Sequence, residues 1–242
     1  MNSSRLPGKV LVDIAGTPML QRIIERTAAA RSVDEVVVAT TIGPDDDVLV
    51  DQLHRAGVGS VYRGSVDDVL DRFARCATLH RADIVVRVTA DDPLKDPGLI
   101  DRAVAILMTD PSMDYCSNTI IPSFPEGLDI EVVRFAALSR ANAEAFLKSD
   151  REHVTPYIWR HPKRFGVHNF SADRDLSSWR WTVDEPADVE FMRAIFARFG
   201  DDPLVPYQQV VAWIDANPDL RLINEGQARN AGYLKSLQAD RS

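Results

Sequence analysis

Asp83-Ile84-Val85-Val86-Arg87-Val88-Thr89, running on into Ala90-Asp91-Asp92-Pro93-Leu94, decides how the chain folds. A short β-branched run stopped by acids and a proline is a strand buried within a sheet. Residues 97–108 read as the helix that follows it. The same alternation recurs upstream. Residues 35–40 (Glu-Val-Val-Val-Ala-Thr) and 60–62 (Ser-Val-Tyr) read as strands. Helical spacing occupies 18–30, with Met19, Leu20, Ile23, Ile24, Thr27 and Ala28 on one face, then 45–57 and 65–79. Strands alternating with helices of this length predict an α/β fold, a mostly parallel sheet with helices on both faces. Beyond about residue 110 the pattern loosens. Residues 115–119 and 128–133 read as extended, 136–147 and 151–160 as helical, 179–183 as an alternating strand and 187–199 as a helix. From 203 the chain is helical in places and ends in a polar tail.

The 242 residues suit a single large domain, and the 45% hydrophobic share supports a sizeable core. A net charge of −8 argues against a general nucleic-acid or membrane-surface binder, although a local basic loop can still hold an anionic ligand. Cys76 and Cys116 share no metal-ligand spacing, and a reduced, cytoplasmic protein is the simplest expectation. No apolar run approaches the length of a membrane span, so no membrane partner is expected.

In an open α/β sheet, ligands gather at the carboxyl ends of strands. Two acidic sites lie there: Asp91-Asp92-Pro93 after the 83–89 strand, and Asp184-Glu185-Pro186 after the 179–183 strand. Such carboxylates either cap the next helix or hold Mg²⁺, which takes few protein ligands and leaves room for phosphate oxygens. At the amino end, Ser3, Ser4, Arg5, Gly8 and Lys9 fall within seven residues. Hydroxyls, a glycine and two cations so close together suit a polyphosphate, or form a solvated turn at Pro7-Gly8. With that loop present, the metal reading of Asp91 and Asp184 overtakes the capping one. Arg63-Gly64-Ser65 joins a strand to a helix and can offer amides and a hydroxyl to a ligand, or make a plain turn and cap. Asp129 and Glu131 alternate after Glu126, which on a strand points both to one face, toward sugar hydroxyls, a metal or solvent. Arg151 and His153 share one helical turn, with His153 better suited to lining a pocket than to direct catalysis. No hydrolase triad, zincin or dinucleotide motif is present.

Several of these stretches together resemble the SpsF-like cytidylyltransferases of spore-coat polysaccharide biosynthesis, relatives of the CMP-Kdo and CMP-acylneuraminate synthetases. They are residues 2–9 (Asn-Ser-Ser-Arg-Leu-Pro-Gly-Lys), 63–72, 89–94, 117–119, 126–131 (Glu-Gly-Leu-Asp-Ile-Glu), 151–157 (Arg-Glu-His-Val-Thr-Pro-Tyr) and 182–186 (Thr-Val-Asp-Glu-Pro). One departure is Ala90-Asp91-Asp92, where relatives more often show Gly-Asp followed by Cys or Glu. The resemblance implies a Rossmann-like nucleotide-diphospho-sugar transferase fold. A nucleotide-binding part would cover about 1–110, a sugar-binding and dimerisation part about 111–200, and a helical region about 201–242. It implies that Arg5 and Lys9 hold a triphosphate, that Asp91 and Asp184 carry Mg²⁺, and that Arg63 to Ser65 lie near the nucleoside. Glu126, Asp129, Glu131, Arg151 and His153 would face the sugar.

The implied reaction transfers CMP from CTP to a sugar acid and releases pyrophosphate, in a homodimer serving cell-surface polysaccharide synthesis. The alternatives are a glycosyltransferase consuming a nucleotide-sugar and a non-catalytic homologue. The resemblance also implies a short apolar strand ahead of residue 1, leading into the phosphate loop, which makes Met1 an expected internal residue.

Overall fold

The computed structural model describes residues 6–200, 202–226, 229 and 231–240. The strands are β1 (Asp13–Ile14), β2 (Thr17–Pro18), β3 (Val38–Thr41), β4 (Val61–Gly64), β5 (Ile84–Arg87), β6 (Tyr115–Ser117), β7 (Glu131–Arg134) and β8 (Val167–Asn169). The α-helices are α1 (Met19–Ala28), α2 (Asp47–Arg55), α3 (Val69–Leu79), α4 (Pro97–Thr109), α5 (Phe135–Glu144), α6 (Lys148–His153), α7 (Pro156–Trp159), α8 (Pro186–Arg198), α9 (Tyr207–Ala216) and α10 (Ala231–Ala239).

β3 and β4 pair in parallel, as the strand–helix–strand pattern requires. The larger sheet has the order β5-β7-β6-β8 and is mixed. β7 runs antiparallel to β5 and β6, whereas β8 is parallel to β6. The reason lies in the connections. Helix α4 carries the chain from β5 back to β6 in the same direction. A helix-free stretch joins β6 to β7, which reverses direction and inserts between them. The short hairpin β1–β2 and strand β8 carry too few residues to show a period in the sequence.

Side chains alternate across this sheet, and each face has its own core. Cys116 and Val132 pack with Ile100, Leu107 and Phe196 on one side. Their neighbours Tyr115 and Val133 pack with Leu70, Leu138 and Ile158 on the other. The expected helices on both faces are therefore present. β3 and β4 sit on α1 and α2 through Leu20, Leu49 and Leu53.

Two expected elements differ. Residues 151–160 form not one helix but α6 and α7, broken at Val154, whose φ is 75°. Val154 leaves helical geometry and ends α6, and Pro156, which lacks an N–H, takes the first position of α7, where none is needed. Residues 179–183 make only a single parallel bridge, Glu126 to Arg180. Their alternation still holds, with Trp179, Trp181 and Val183 buried in the core. Cys76 and Cys116 are both free and buried. No helix among the described residues is long and apolar enough to cross a membrane.

Candidate active site

One open cavity of about 470 Å³ lies at the carboxyl end of β5. Three extended segments supply its walls by alternation. Arg87, Thr89 and Asp91 come from β5 and its continuation, Asp129 and Glu131 from the approach to β7, and Arg180, Thr182 and Asp184 from the third segment. Asp91 and Asp184 are brought together by the backbone, since the Val183 N–H donates to the Asp91 carbonyl at 2.8 Å.

Lys9 stands between the two carboxylates. Its ammonium donates to Asp91 Oδ2 at 2.9 Å, Asp184 Oδ1 at 2.7 Å and the Val183 carbonyl at 3.2 Å. Burial works against this charge, but Asp91 and Asp184 outweigh it and hold the Lys9 pKa above its ordinary value. Neither carboxylate is a helix cap. Asp96 caps α4 by accepting from Leu99 N, and Glu185 with Asp188 forms a reciprocal capping box on α8. The capping explanation of Asp91 and Asp184 therefore falls away.

The two acids are braced from behind. Asp92 is buried, accepts from Lys95 Nζ and Thr89 Oγ1 at 2.7 Å each, and is held below its ordinary pKa because Lys95 overcomes the effect of burial. Arg180 donates to both oxygens of Asp188, to Glu126 and to Asp184. Burial opposes its charge, and Asp188 more than restores it. Arg180, Asp188 and Lys95 escaped the sequence reading, which took Asp92 only as part of the acidic stretch after Thr89. The Glu185-x-x-Asp188 box was the signal that could have found Asp188.

The expected sugar-facing residues divide. Glu126, Asp129, Glu131 and His153 line the cavity. Glu131 is largely occupied from within, accepting from Arg87 on one oxygen and from Tyr115 and Thr155 on the other. The break between α6 and α7 turns Thr155 onto it. His153 contacts Ser236 at 3.0 Å and the Tyr233 ring on α10, and burial lowers its pKa. The expected polar tail is thus partly a helix against the pocket wall.

Arg151 is not in the cavity. It forms a forked pair with Asp68, the cap of α3, and donates to the Asn142 carbonyl, joining α3, α5 and α6. Arg63 also turns away, donating to the carbonyls of Thr41 and Gly43 and pairing with Asp47. Ser65 Oγ accepts from Asp68 N, and Gly64 packs beside Tyr62 and Arg72. These three make a turn outside the cavity lining. Gly8 immediately precedes the 3-10 turn that carries Lys9. Ser3, Ser4 and Arg5 lie outside the described residues.

Asp129 is the cavity acid whose pKa its surroundings raise. Burial raises its pKa to about 6, with Arg229 and Lys95 opposing and Asp92 and Glu126 adding. A carboxyl raised in the folded state favours folding below its unfolded pKa and loses that contribution as pH climbs through the folded one. Wild type is therefore expected to lose stability relative to Asp129→Asn between about pH 4 and 6.5, by up to about 3 kcal/mol. Urea unfolding of both proteins across that range measures it. A difference that does not change with pH means Asp129 ionises normally.

The fold is the Rossmann-like α/β fold of nucleotidyltransferases, with Asp91 and Asp184 at strand ends on one open cavity and Lys9 bridging them. The chain belongs to the cytidylyltransferase family, whose sequence model matches residues 1–222. It is 31% identical over 226 residues to the spore coat polysaccharide biosynthesis protein SpsF of Bacillus subtilis, covering 90% of this chain and 92% of that one. Over 113 residues it is 46% identical to the 3-deoxy-manno-octulosonate cytidylyltransferase of Geobacter sulfurreducens, covering 46% and 43% of the two chains. The structure of a cytidylyltransferase from Leptospira borgpetersenii superposes with a TM-score of 0.87 at 29% identity, over 94% of each chain.

Proposed function

We propose that this protein transfers CMP from CTP to a hydroxyl of a sugar acid, releasing pyrophosphate, for cell-surface polysaccharide synthesis. The observation that carries this is the Asp91–Lys9–Asp184 cluster at the mouth of the cavity, in a chain of this family. The sugar-acid substrate is suggested by the 3-deoxy-manno-octulosonate cytidylyltransferase relatives, and the polysaccharide role by SpsF. Pairing of two copies through the 111–200 part belongs to the same reading.

Mg²⁺ fits the residues present. Among the described residues no group of three or more candidate ligands surrounds a metal, but Mg²⁺ needs only one or two carboxylates plus substrate phosphates. A cation already bridges Asp91 and Asp184, namely the Lys9 ammonium. Asp91 and Asp184 would hold the ion, which when bound supplies charge neutralisation at the phosphate oxygens. The chain's own residues do the rest. Arg5 and Lys9 bind the β- and γ-phosphates and stabilise the departing pyrophosphate. Arg180 and Asp188 orient Asp184. The Asp92–Lys95 pair fixes the turn that carries Asp91.

Incubating the protein with Mg²⁺, each of the four nucleoside triphosphates and a panel of sugar acids, then measuring pyrophosphate, tests the reading. Pyrophosphate formed with CTP and a sugar acid is expected. Free nucleotide released from a nucleotide-sugar instead overturns it in favour of a glycosyltransferase.

Lys9 and a divalent cation seek the same two carboxylates, so removing the ammonium has opposite effects on two ligands. Lys9→Met is expected to bind Mn²⁺, followed by its electron paramagnetic resonance, on the order of tenfold more tightly without nucleotide. The same variant binds CTP more weakly in calorimetry, while CMP binding changes less. Unchanged Mn²⁺ affinity places the metal elsewhere.

A further inference from the structure

Arg87 ends β5 on the wall of the cavity, and its guanidinium is only partly used. Nη1 donates to Glu131 Oε2. Nε is buried without a partner. Nη2 donates to no group among the described residues and keeps some exposure, on a residue that lines the cavity. Burial opposes the charge, yet Glu131, with help from Asp91, holds the Arg87 pKa above its ordinary value. Glu131 is itself fixed, because Tyr115 Oη at 2.7 Å and Thr155 Oγ1 both donate to its other oxygen.

The other cations near the cavity are committed. Arg180 uses all three nitrogens on Asp188, Glu126 and Asp184. Lys9 has an acceptor for each of its three protons, and in the reading above it serves the phosphates once CTP binds. Burial keeps His153 below its ordinary pKa. The remaining wall is rich in carboxylates, which repel an anionic substrate. A sugar acid entering here needs a cation with an open donor, and Arg87 has one.

The geometry points to Arg87 as the group that receives the carboxylate of the sugar substrate through Nη2, with Glu131 as the positioning residue that holds the guanidinium. This rests on the cytidylyltransferase reading above. In a 2-keto sugar acid the carboxylate is borne by the carbon that also carries the attacking hydroxyl. A guanidinium fixing the carboxylate therefore also orients the nucleophile.

The test compares wild type with Arg87→Met, using 3-deoxy-D-manno-octulosonic acid, N-acetylneuraminic acid, their C1 carboxamides and neutral hexoses as acceptors. CTP affinity is measured in parallel by calorimetry. Arg87→Met is expected to lower kcat/KM for the working acid by about 10- to 100-fold. The weaker turnover of its carboxamide and the CTP affinity stay unchanged, and Arg87→Lys recovers part of the loss. Because Arg87→Met leaves Glu131 buried and unpaired, the Arg87→Met/Glu131→Gln double variant repeats the measurement in a fold without that charge. Equal losses for acid and carboxamide, or none for either, overturn the assignment. Turnover of neutral sugars alone overturns the carboxylate while leaving cytidylyl transfer standing. Failure to bind CTP overturns the cytidylyltransferase reading itself.

Discussion

Asp91→Asn and Asp184→Asn each lower the rate of pyrophosphate release by on the order of 10²-fold or more, with the fold retained. Asparagine has the same shape, so what is lost is charge. Neither residue caps a helix, and in each variant Lys9 keeps the other carboxylate and the Val183 carbonyl as partners. Circular dichroism and thermal melting should therefore show native proteins. The rate is measured with CTP at saturating Mg²⁺, so that weakened metal affinity alone cannot explain the loss. If either variant turns over at the wild-type rate, that carboxylate serves only as a partner for Lys9 and the proposed metal site is wrong.

Much of this site was legible because polar residues interrupt apolar extended runs at every second position. The acids after Thr89 and Val183 and the alternating pair Asp129 and Glu131 stood out against buried neighbours, and the structure brings all four to one cavity. Arg87 obeyed the same rule, two positions before Thr89, but a lone arginine in a strand carries no motif. Arg63 and Arg151 misled for a physical reason. Both lie beside ligand-like residues in the sequence, yet a guanidinium can satisfy loop carbonyls or a helix-capping acid equally well, and these do. Strand direction was also hidden. A helix-period segment between strands signals a parallel crossover, but residues 120–127 carry no such signal, so the reversal at β7 is invisible until the sheet is assembled. Pro156 signals only a helix start, whereas the positive φ at Val154 and the meeting of Thr155 with Glu131, 24 positions away, depend on packing.

Gly127→Ala is expected to destabilise the protein by about 3 kcal/mol or more, a large share of a typical domain's stability of about 5–15 kcal/mol. Gly127 has φ +109°, where side chains are strained, and a Cβ built there would lie 2.5 Å from the Trp181 carbonyl group and 2.8 Å from Thr182 N. These are backbone atoms, so no side chain can swing aside. The crossing is tight because Glu126 and Arg180 form a bridge, with Trp181 N donating to the Glu126 carbonyl at 2.6 Å. Any relief must push the segment bearing Glu126 and Asp129 away from the one bearing Arg180 and Asp184, opening the cavity between them. Activity should fall even at temperatures where the variant is folded. Gly16→Ala is the control, since Gly16 has φ +83° but nothing within 4 Å of a new Cβ. It carries backbone strain alone, of about 1–2 kcal/mol. Urea unfolding of the two variants separates strain from close approach, and equal losses at both positions would show that the contact with Trp181 does not constrain the walls of the site.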